Sequence, residues 1–460
     1  MAFFSKRFGP LPFYREALSI ALPVMLQQLI MSMVSLIDNF MVAGLGDASM
    51  AAVNMANHLV FIFIVLINTI CGAGGIFLAQ FHGAGNPEGM KHAYRFKIIL
   101  SLSGACVFFV LFWILPETFL SFMTMGNTEQ AEIIPKGASY LRVVSFTLAP
   151  MAVSSAIGSS FRDTGETRVP LYISAIATVV NTTGNWFLIY GNLGAPRLEV
   201  IGAGISTMIA RVFEAAAFIV YVNRKKLAFY SPFSLLRKVD GSLVRRIVSR
   251  SVMMFISESS WIASETVMIS VYNGRGGAET VAGMAAGWTI ANIFMLIFNG
   301  IWTTAYVLIG GSLGAGRLEE ARRRGMWLNS GAVLAGLTVA VLGAASSFVL
   351  MPLVFTNLSA EARRIGLGLV LVILAYFPIW AYLNTQFAVC RSGGDTFMGI
   401  CTDATVNFGI VIPGALLLAG FTSIGPVAIF GILKLTDIIK CFIAHYFYRK
   451  ERWVRNLTGV

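Results

Sequence analysis

Twelve long apolar runs, joined by short polar stretches, decide what this chain can fold into: 17–43, 51–80, 95–116, 137–160, 169–190, 201–222, 250–273, 281–312, 326–350, 365–389, 397–418 and 424–446. Each approaches or exceeds the roughly 20 residues that a helix needs to cross a bilayer. Lipid offers the backbone no hydrogen bonds, so a spanning segment must satisfy its own as a helix. The runs are too long, and alternate too little, for barrel strands. Only 12% of the 460 residues are charged, against 57% hydrophobic, and the mean hydropathy is +0.75. So little charge cannot cover a globular surface of this size, which excludes a soluble enzyme. The five cysteines show no paired-ligand spacing and the four histidines are scattered, so neither a disulfide framework nor a zinc site is expected.

The net charge of +12 would suggest nucleic acid in a soluble protein. In an all-helical membrane protein it places loops instead, because Lys and Arg gather on the cytoplasmic side. With the N-terminus inside, the basic clusters Arg224-Lys225-Lys226 and Arg322-Arg323-Arg324 and the basic C-terminal tail all fall inside. The expected protein is a multi-pass component of the cell inner membrane with both termini cytoplasmic, no cleavable leader and no nucleic-acid partner.

The chain also repeats itself. Arg162-x-x-Gly165-Glu166-Thr167 returns as Arg391-x-x-Gly394-Asp395-Thr396, offset by 229; Gly83-Ala84-Gly85 returns as Gly314-Ala315-Gly316, offset by 231; Arg211-x-x-Glu214 returns as Lys434-x-x-Asp437, offset by 223. The expected organisation is a six-helix lobe over 1–222, a basic linker over 223–249, and a second six-helix lobe with a short tail over 250–460. An even helix number gives both lobes the same orientation, a plan used by transporters.

Ionisable residues inside spans are costly and are functional candidates. Asp38 lies about six residues before the outer end of its run, Asn185 holds the matching depth in the fifth, and Asn181 is one turn deeper on the same face. Thr207 lies about six residues past the outer end of the sixth. At 1.5 Å per residue these four share a level roughly 8–15 Å below the outer surface. One carboxylate with amide and hydroxyl oxygens suits Na⁺, or a proton carried by the carboxylate itself. No basic residue is apparent at that depth. Arg211 and Glu214, three apart, are read as neutralising each other, and Lys434 with Asp437 likewise. Glu258 and Glu265 have no obvious local base; with Asp403 they are read as lining a second polar cavity. Methionines crowd the first run, and Met33 with nearby Gln28 is placed among substrate contacts, since methionine adapts to varied apolar shapes. No phosphate-cradling loop, nucleophile–base pair or metal cluster appears, so neither an ATPase nor another enzyme is indicated.

In order and spacing, Pro23 to Asp38, the Gly83-Ala84-Gly85-Asn86 turn after Gln80, the two Arg-x-x-Gly-acid-Thr turns and Asn181-x-x-x-Asn185 resemble the multidrug and toxic compound extrusion (MATE) transporters across essentially the whole chain. The resemblance implies two six-helix lobes around a central cavity. It also implies exchange of cationic, amphipathic organic compounds for H⁺ or Na⁺, with no cofactor. Asp38 would be the coupling carboxylate, and Asn181, Asn185 and Thr207 would line its site, or hold Na⁺ there with it. The expected protein is a monomer in membrane lipid. The rival reading is a lipid-linked oligosaccharide or lipid flippase of related architecture.

Overall fold

The structure, a computed structural model, describes residues 7–43, 45, 47–123, 130–236 and 240–459. Residues 237–239 of the basic linker lie outside it. Each of the twelve apolar runs is helical. The helices are α1 (Leu11–Ala43), α2 (Asp47–Gly83), α3 (Pro87–Ile114), α4 (Gln130–Ser145 and Leu148–Asp163, bent by 48°), α5 (Arg168–Tyr190) and α6 (Glu199–Lys225). The second half holds α7 (Gly241–Asn273), α8 (Ala278–Gly314), α9 (Leu318–Val354), α10 (Ala360–Ser392), α11 (Phe397–Phe421) and α12 (Pro426–Lys434 and Thr436–Arg449). Among the described residues eight are long and apolar enough alone to cross a membrane, nine when the bent α4 is taken as one span. The three that fall short, α5, α7 and α12, carry Asn181, Asn185, Glu258, Glu265, Lys434 and Asp437.

The repeat is visible in the backbone. Gly165 and Gly394 close their turns at φ of 86° and 77°, and Gly85 and Gly316 theirs at 63° and 73°. The turn hydrogen bonds recur at the same offsets. Glu166 N donates to Phe161 O (2.9 Å) and Asp395 N to Cys390 O (3.0 Å); Asn86 N donates to Phe81 O and Arg317 N to Ser312 O, both at 3.0 Å. A left-handed residue at a helix C-terminus lets later N–H groups reach the orphan carbonyls, and glycine enters that conformation without a Cβ penalty.

Packing divides the chain into two compact units, one of residues 26–82 and 86–247, the other of 1–25, 83–85 and 248–460. The start of α1 thus belongs to the second unit, where Phe13, Ala17 and Ile20 join a core with Leu308 and Ile309 of α8 and Phe387 of α10. The heart of that unit is α10, whose Leu369, Val370, Ile373 and Phe377 are fully buried. Small residues let helix backbones approach in a membrane. A Cβ on Gly366 would stand 2.7 Å from Gly283 O, and one on Gly287 2.8 Å from Gly366 O.

Gly366→Leu is therefore expected to destabilise the second unit by about 1–3 kcal/mol, the usual cost of overpacking, and to lower the melting temperature in detergent by several degrees. Gly420→Leu, whose Cβ meets open space, is expected to leave it unchanged. Equal melting of the two variants contradicts the packing account.

Candidate functional site: a carboxylate held by amides

Three helices of the first unit converge on Asp38. The α5 residues Asn181 and Asn185 are four apart and share a face. Asn185 Nδ2 donates to Asp38 Oδ1 at 2.6 Å. Asn181 can place its nitrogen 3.3 Å from Thr207 Oγ1 or, turned over, 3.0 Å from both Asp38 oxygens. A carboxylate only accepts, so hydrogen-bond satisfaction selects the second orientation. Thr207 Oγ1 donates back to Ala203 O (2.9 Å) and Ser206 Oγ to Asn181 O (2.7 Å), which pins α6 to α5. Gly184 of α5 leaves the room for Ser206. Tyr190 OH donates to Met41 O at 2.9 Å and holds the end of α1. The four residues expected together are together. Asn185 is 1% exposed, and its Oδ1 has no hydrogen-bond partner among the described residues. The site thus holds a charged acceptor and one idle neutral acceptor, a donor set that fits a small monovalent cation or a proton.

No basic side chain forms an ion pair with Asp38 among the described residues. The reading that no base stands near its depth needs correcting, however: the charge of Arg211 on α6 acts on Asp38. Its guanidinium is occupied, with Nη1 2.9 Å from Glu214 Oε2, the expected pair along one helix face. Tyr140 on α4 also lies within electrostatic reach of Asp38 and donates to Asn57 Oδ1 (3.2 Å).

The acids of the second unit are in a different condition. Glu258 Oε1 pairs with Arg391 Nη1 at 2.8 Å, Glu265 pairs with Lys434, and Asp403 Oδ1 lies 3.6 Å from Lys440 Nζ. The two glutamates without a local base in the sequence have bases on other helices. The expected Lys434–Asp437 pair is not formed, because Lys434 turns to Glu265. Asp437 Oδ1 instead faces Lys440 at 3.5 Å and its Oδ2 accepts from Trp380 Nε1 at 2.8 Å. Ser257 Oγ donates to Asp403 Oδ2 (2.8 Å) and Lys440 Nζ to Asn407 Oδ1 (2.7 Å). Asp403 and Asn407 each lie in a π-turn of α11, Ile400–Ala404 and Asn407–Val411, a widening common at functional places in helices. These contacts make a network of ion pairs. Of the two residues expected at substrate, Met33 is half exposed and Gln28 half-buried. The neighbouring Gln27 is buried, and its Nε2 donates to Ser174 Oγ at 2.9 Å.

The protein-family model MatE matches residues 23–187 and again 251–417. The chain belongs to the MatE family of transporters. The double match falls one in each half, as the repeat requires. Relatives include the probable multidrug resistance proteins NorM of Halalkalibacterium halodurans (25% identical, covering 93% of this chain and 92% of the relative) and YoeA of Bacillus subtilis (25%, 87% and 86%). Among solved structures, the Vibrio cholerae MATE transporter VcmN in its bent form superposes with a TM-score of 0.82 at 17% identity, over 95% of this chain and 97% of that one. An outward-facing multidrug resistance MATE transporter of the MOP superfamily gives 0.84 at 17%, over 95% of each chain.

Both MatE halves therefore share a fold while handling charge differently. Sequence distance hid the pairings of the second half, since Glu265 and Lys434 are 169 residues apart. Lys434→Met strands the largely buried Glu265 side chain, 13% exposed, and is expected to cost about 3 kcal/mol. Lys434→Met with Glu265→Gln is expected to recover most of that loss in thermal denaturation. A double variant no more stable than the single one contradicts the pairing.

Proposed function

We propose that this MatE transporter is a secondary multidrug exporter. It exchanges cationic, amphipathic organic compounds for H⁺ or Na⁺, with Asp38 as the coupling carboxylate. The observation that carries the reading is the contrast just described. Glu258, Glu265 and Asp403 have internal ammonium or guanidinium partners, whereas Asp38 is held by amides alone and retains a negative charge for an incoming cation. The names of the curated relatives, probable multidrug resistance proteins, support the substrate class.

The cycle follows from that charge. Substrate enters from the cytoplasmic side and the transporter turns outward. An external cation then binds Asp38 with Asn181, Asn185 and Thr207. Its charge cancels that of the carboxylate and removes the reason for the amide nitrogens to point inward. The Asn185 and Asn181 contacts from α5 to α1 loosen, and α1 is free to rearrange about Pro23, which lacks an N–H and breaks the helical ladder. Solved neighbours described as MATE in the bent and in the straight conformation support more than one conformation within this fold. A ligand moves such an equilibrium only by its different affinity for the two states. The cation favours one arrangement of α1 and the substrate the other. The positive-inside pattern supports cytoplasmic termini and an outward-facing end for the Asp38 level.

Efflux of a fluorescent organic cation from proteoliposomes, under separately imposed H⁺ and Na⁺ gradients, tests the reading. Wild-type efflux is expected to follow one gradient, and Asp38→Asn to lose at least about 90% of it, a loss of roughly 1.4 kcal/mol or more in coupling. Normal efflux by Asp38→Asn contradicts the assignment.

A further inference from the structure

Arg211 poses a problem for a cation site. Thr207 and Arg211 are four residues apart on α6, so they stack on one face with about 6 Å of rise between them. Side chains on a helix tilt toward its N-terminus, which aims Arg211 back toward Thr207 and thence toward Asp38. A guanidinium spans that rise easily. If it reached the carboxylate, it would fill the place of the coupling cation permanently.

The structure shows what prevents this. Glu214, one turn further along α6, takes Arg211 Nη1 on its Oε2. Its other oxygen, Oε1, accepts from Ser174 Oγ of α5 at 2.9 Å, and Ser174 in turn accepts from Gln27 of α1. Glu214, Ser174 and Gln27 are all buried. The carboxylate is thus fixed from two further helices, and the arginine is held by a group that cannot follow it. The second unit supplies a contrast. The repeat places Phe430 where Thr207 stands and Ile410 and Gly414 where Asn181 and Asn185 stand. There the equivalent base Lys434 is not kept on its own helix but crosses to Glu265. Of the two repeat-equivalent bases, Arg211 and Lys434, the one that stays paired along its own helix is in the unit that has an amide-held carboxylate to protect.

We propose that Glu214 is a positioning residue for cation coupling: braced by Ser174 and Gln27, it sequesters Arg211 so that Asp38 stays open to the coupling ion. This rests on the reading of Asp38 as the coupling carboxylate. The charged and titratable groups concerned are few. Arg211 and Tyr140 face Asp38 from α6 and α4, while Arg211 and Arg162 face Glu214 from α6 and α4.

The test is the concentration of the driving cation, H⁺ or Na⁺ as wild type requires, that gives half-maximal efflux of a fluorescent organic cation from proteoliposomes. Glu214→Gln frees the arginine and is expected to raise that concentration at least about tenfold, the scale of a unit charge several ångströms away in a partly buried site. Glu214→Gln with Arg211→Gln is expected to return within about threefold of wild type, while Glu214→Gln with Arg211→Lys, which keeps the charge, is expected to stay impaired. A merely structural Arg211–Glu214 pair would show its loss and its rescue in stability and in maximal efflux, leaving the half-maximal cation concentration unmoved. Should Glu214→Gln fail to fold, Arg211→Gln alone reads the same charge and is expected to lower the half-maximal concentration. A double variant as impaired as Glu214→Gln, an unaffected Glu214→Gln, or an Arg211→Gln with unchanged or weaker cation dependence overturns the proposal. Normal transport by Asp38→Asn in the same assay overturns the coupling reading and this one together, so the two failures are distinguishable.

Discussion

An ion in hydrocarbon has no water to answer it, so every charge within a span must find its partner inside the protein or take one from solution. The arrangement of this molecule follows from how that demand is met. Arg391, Lys434 and Lys440 answer Glu258, Glu265 and Asp403 from neighbouring helices, and Lys440 also faces Asp437 along its own helix. Aromatic rings add to the enclosure, with the Arg391 guanidinium 4.9 Å from the Trp302 ring centre and Lys434 Nζ 5.5 Å from that of Trp380. Pairs of this kind hold helices in a fixed relation, since separating them strands a charge. Asp38 is answered differently. Amide nitrogens stabilise its charge without cancelling it, and amides can turn over. Both units hold charge in internal pairs, Lys97–Asp163 and Arg211–Glu214 among them in the first, but the first also holds Asp38, which has no ion-pair partner among the described residues.

The two units began as the same six-helix plan and still share their turns. Gly165 and Gly394 take the same left-handed conformation, and the bonds from Gly165 N to Arg162 O and Glu166 N to Phe161 O recur from Gly394 N to Arg391 O and Asp395 N to Cys390 O. Divergence lies in side chains at repeat-equivalent depths. Ser174 has its counterpart in Asp403, and Gln27 its counterpart near Ser257; the Gln27–Ser174 contact is matched by Ser257–Asp403. This level of each unit is polar. The Asp38 level is polar only in the first. On the proposed reading, a carboxylate that takes up a cation in one unit, against ion pairs in the other, would give the transporter an asymmetric response to that cation.

Much of this was legible in the sequence, for physical reasons. Spans follow from the length of apolar runs, and the repeat from residues that turns demand, so both survive without knowledge of contacts. The Asp38, Asn181, Asn185 and Thr207 grouping was legible because helix rise converts sequence position into depth. What depth cannot supply is azimuth. Depth does not show that Gln27, about 100° around the helix from Gln28, is the glutamine that turns inward to Ser174. Long-range pairings were equally hidden. Lys434 sits three residues from Asp437, the spacing of a local pair, yet Glu265 on α7 takes it. Arg211 obeys the local rule, and its charge still reaches Asp38 on another helix. The two π-turns of α11 carry no sequence signature beyond the polar residues they widen around.

The central claim is that the charge on Asp38 governs the shape of α1. Spin labels at Phe40 and Tyr172, both exposed within one unit, measure it directly in protein whose native cysteines are replaced. The distance distribution should shift when the driving cation is added to wild type. It should stay in the cation-bound distribution, with or without the cation, in Asp38→Asn, whose side chain is neutral throughout. A wild-type distribution that ignores the cation, or an Asp38→Asn protein that still responds to it, would contradict the account.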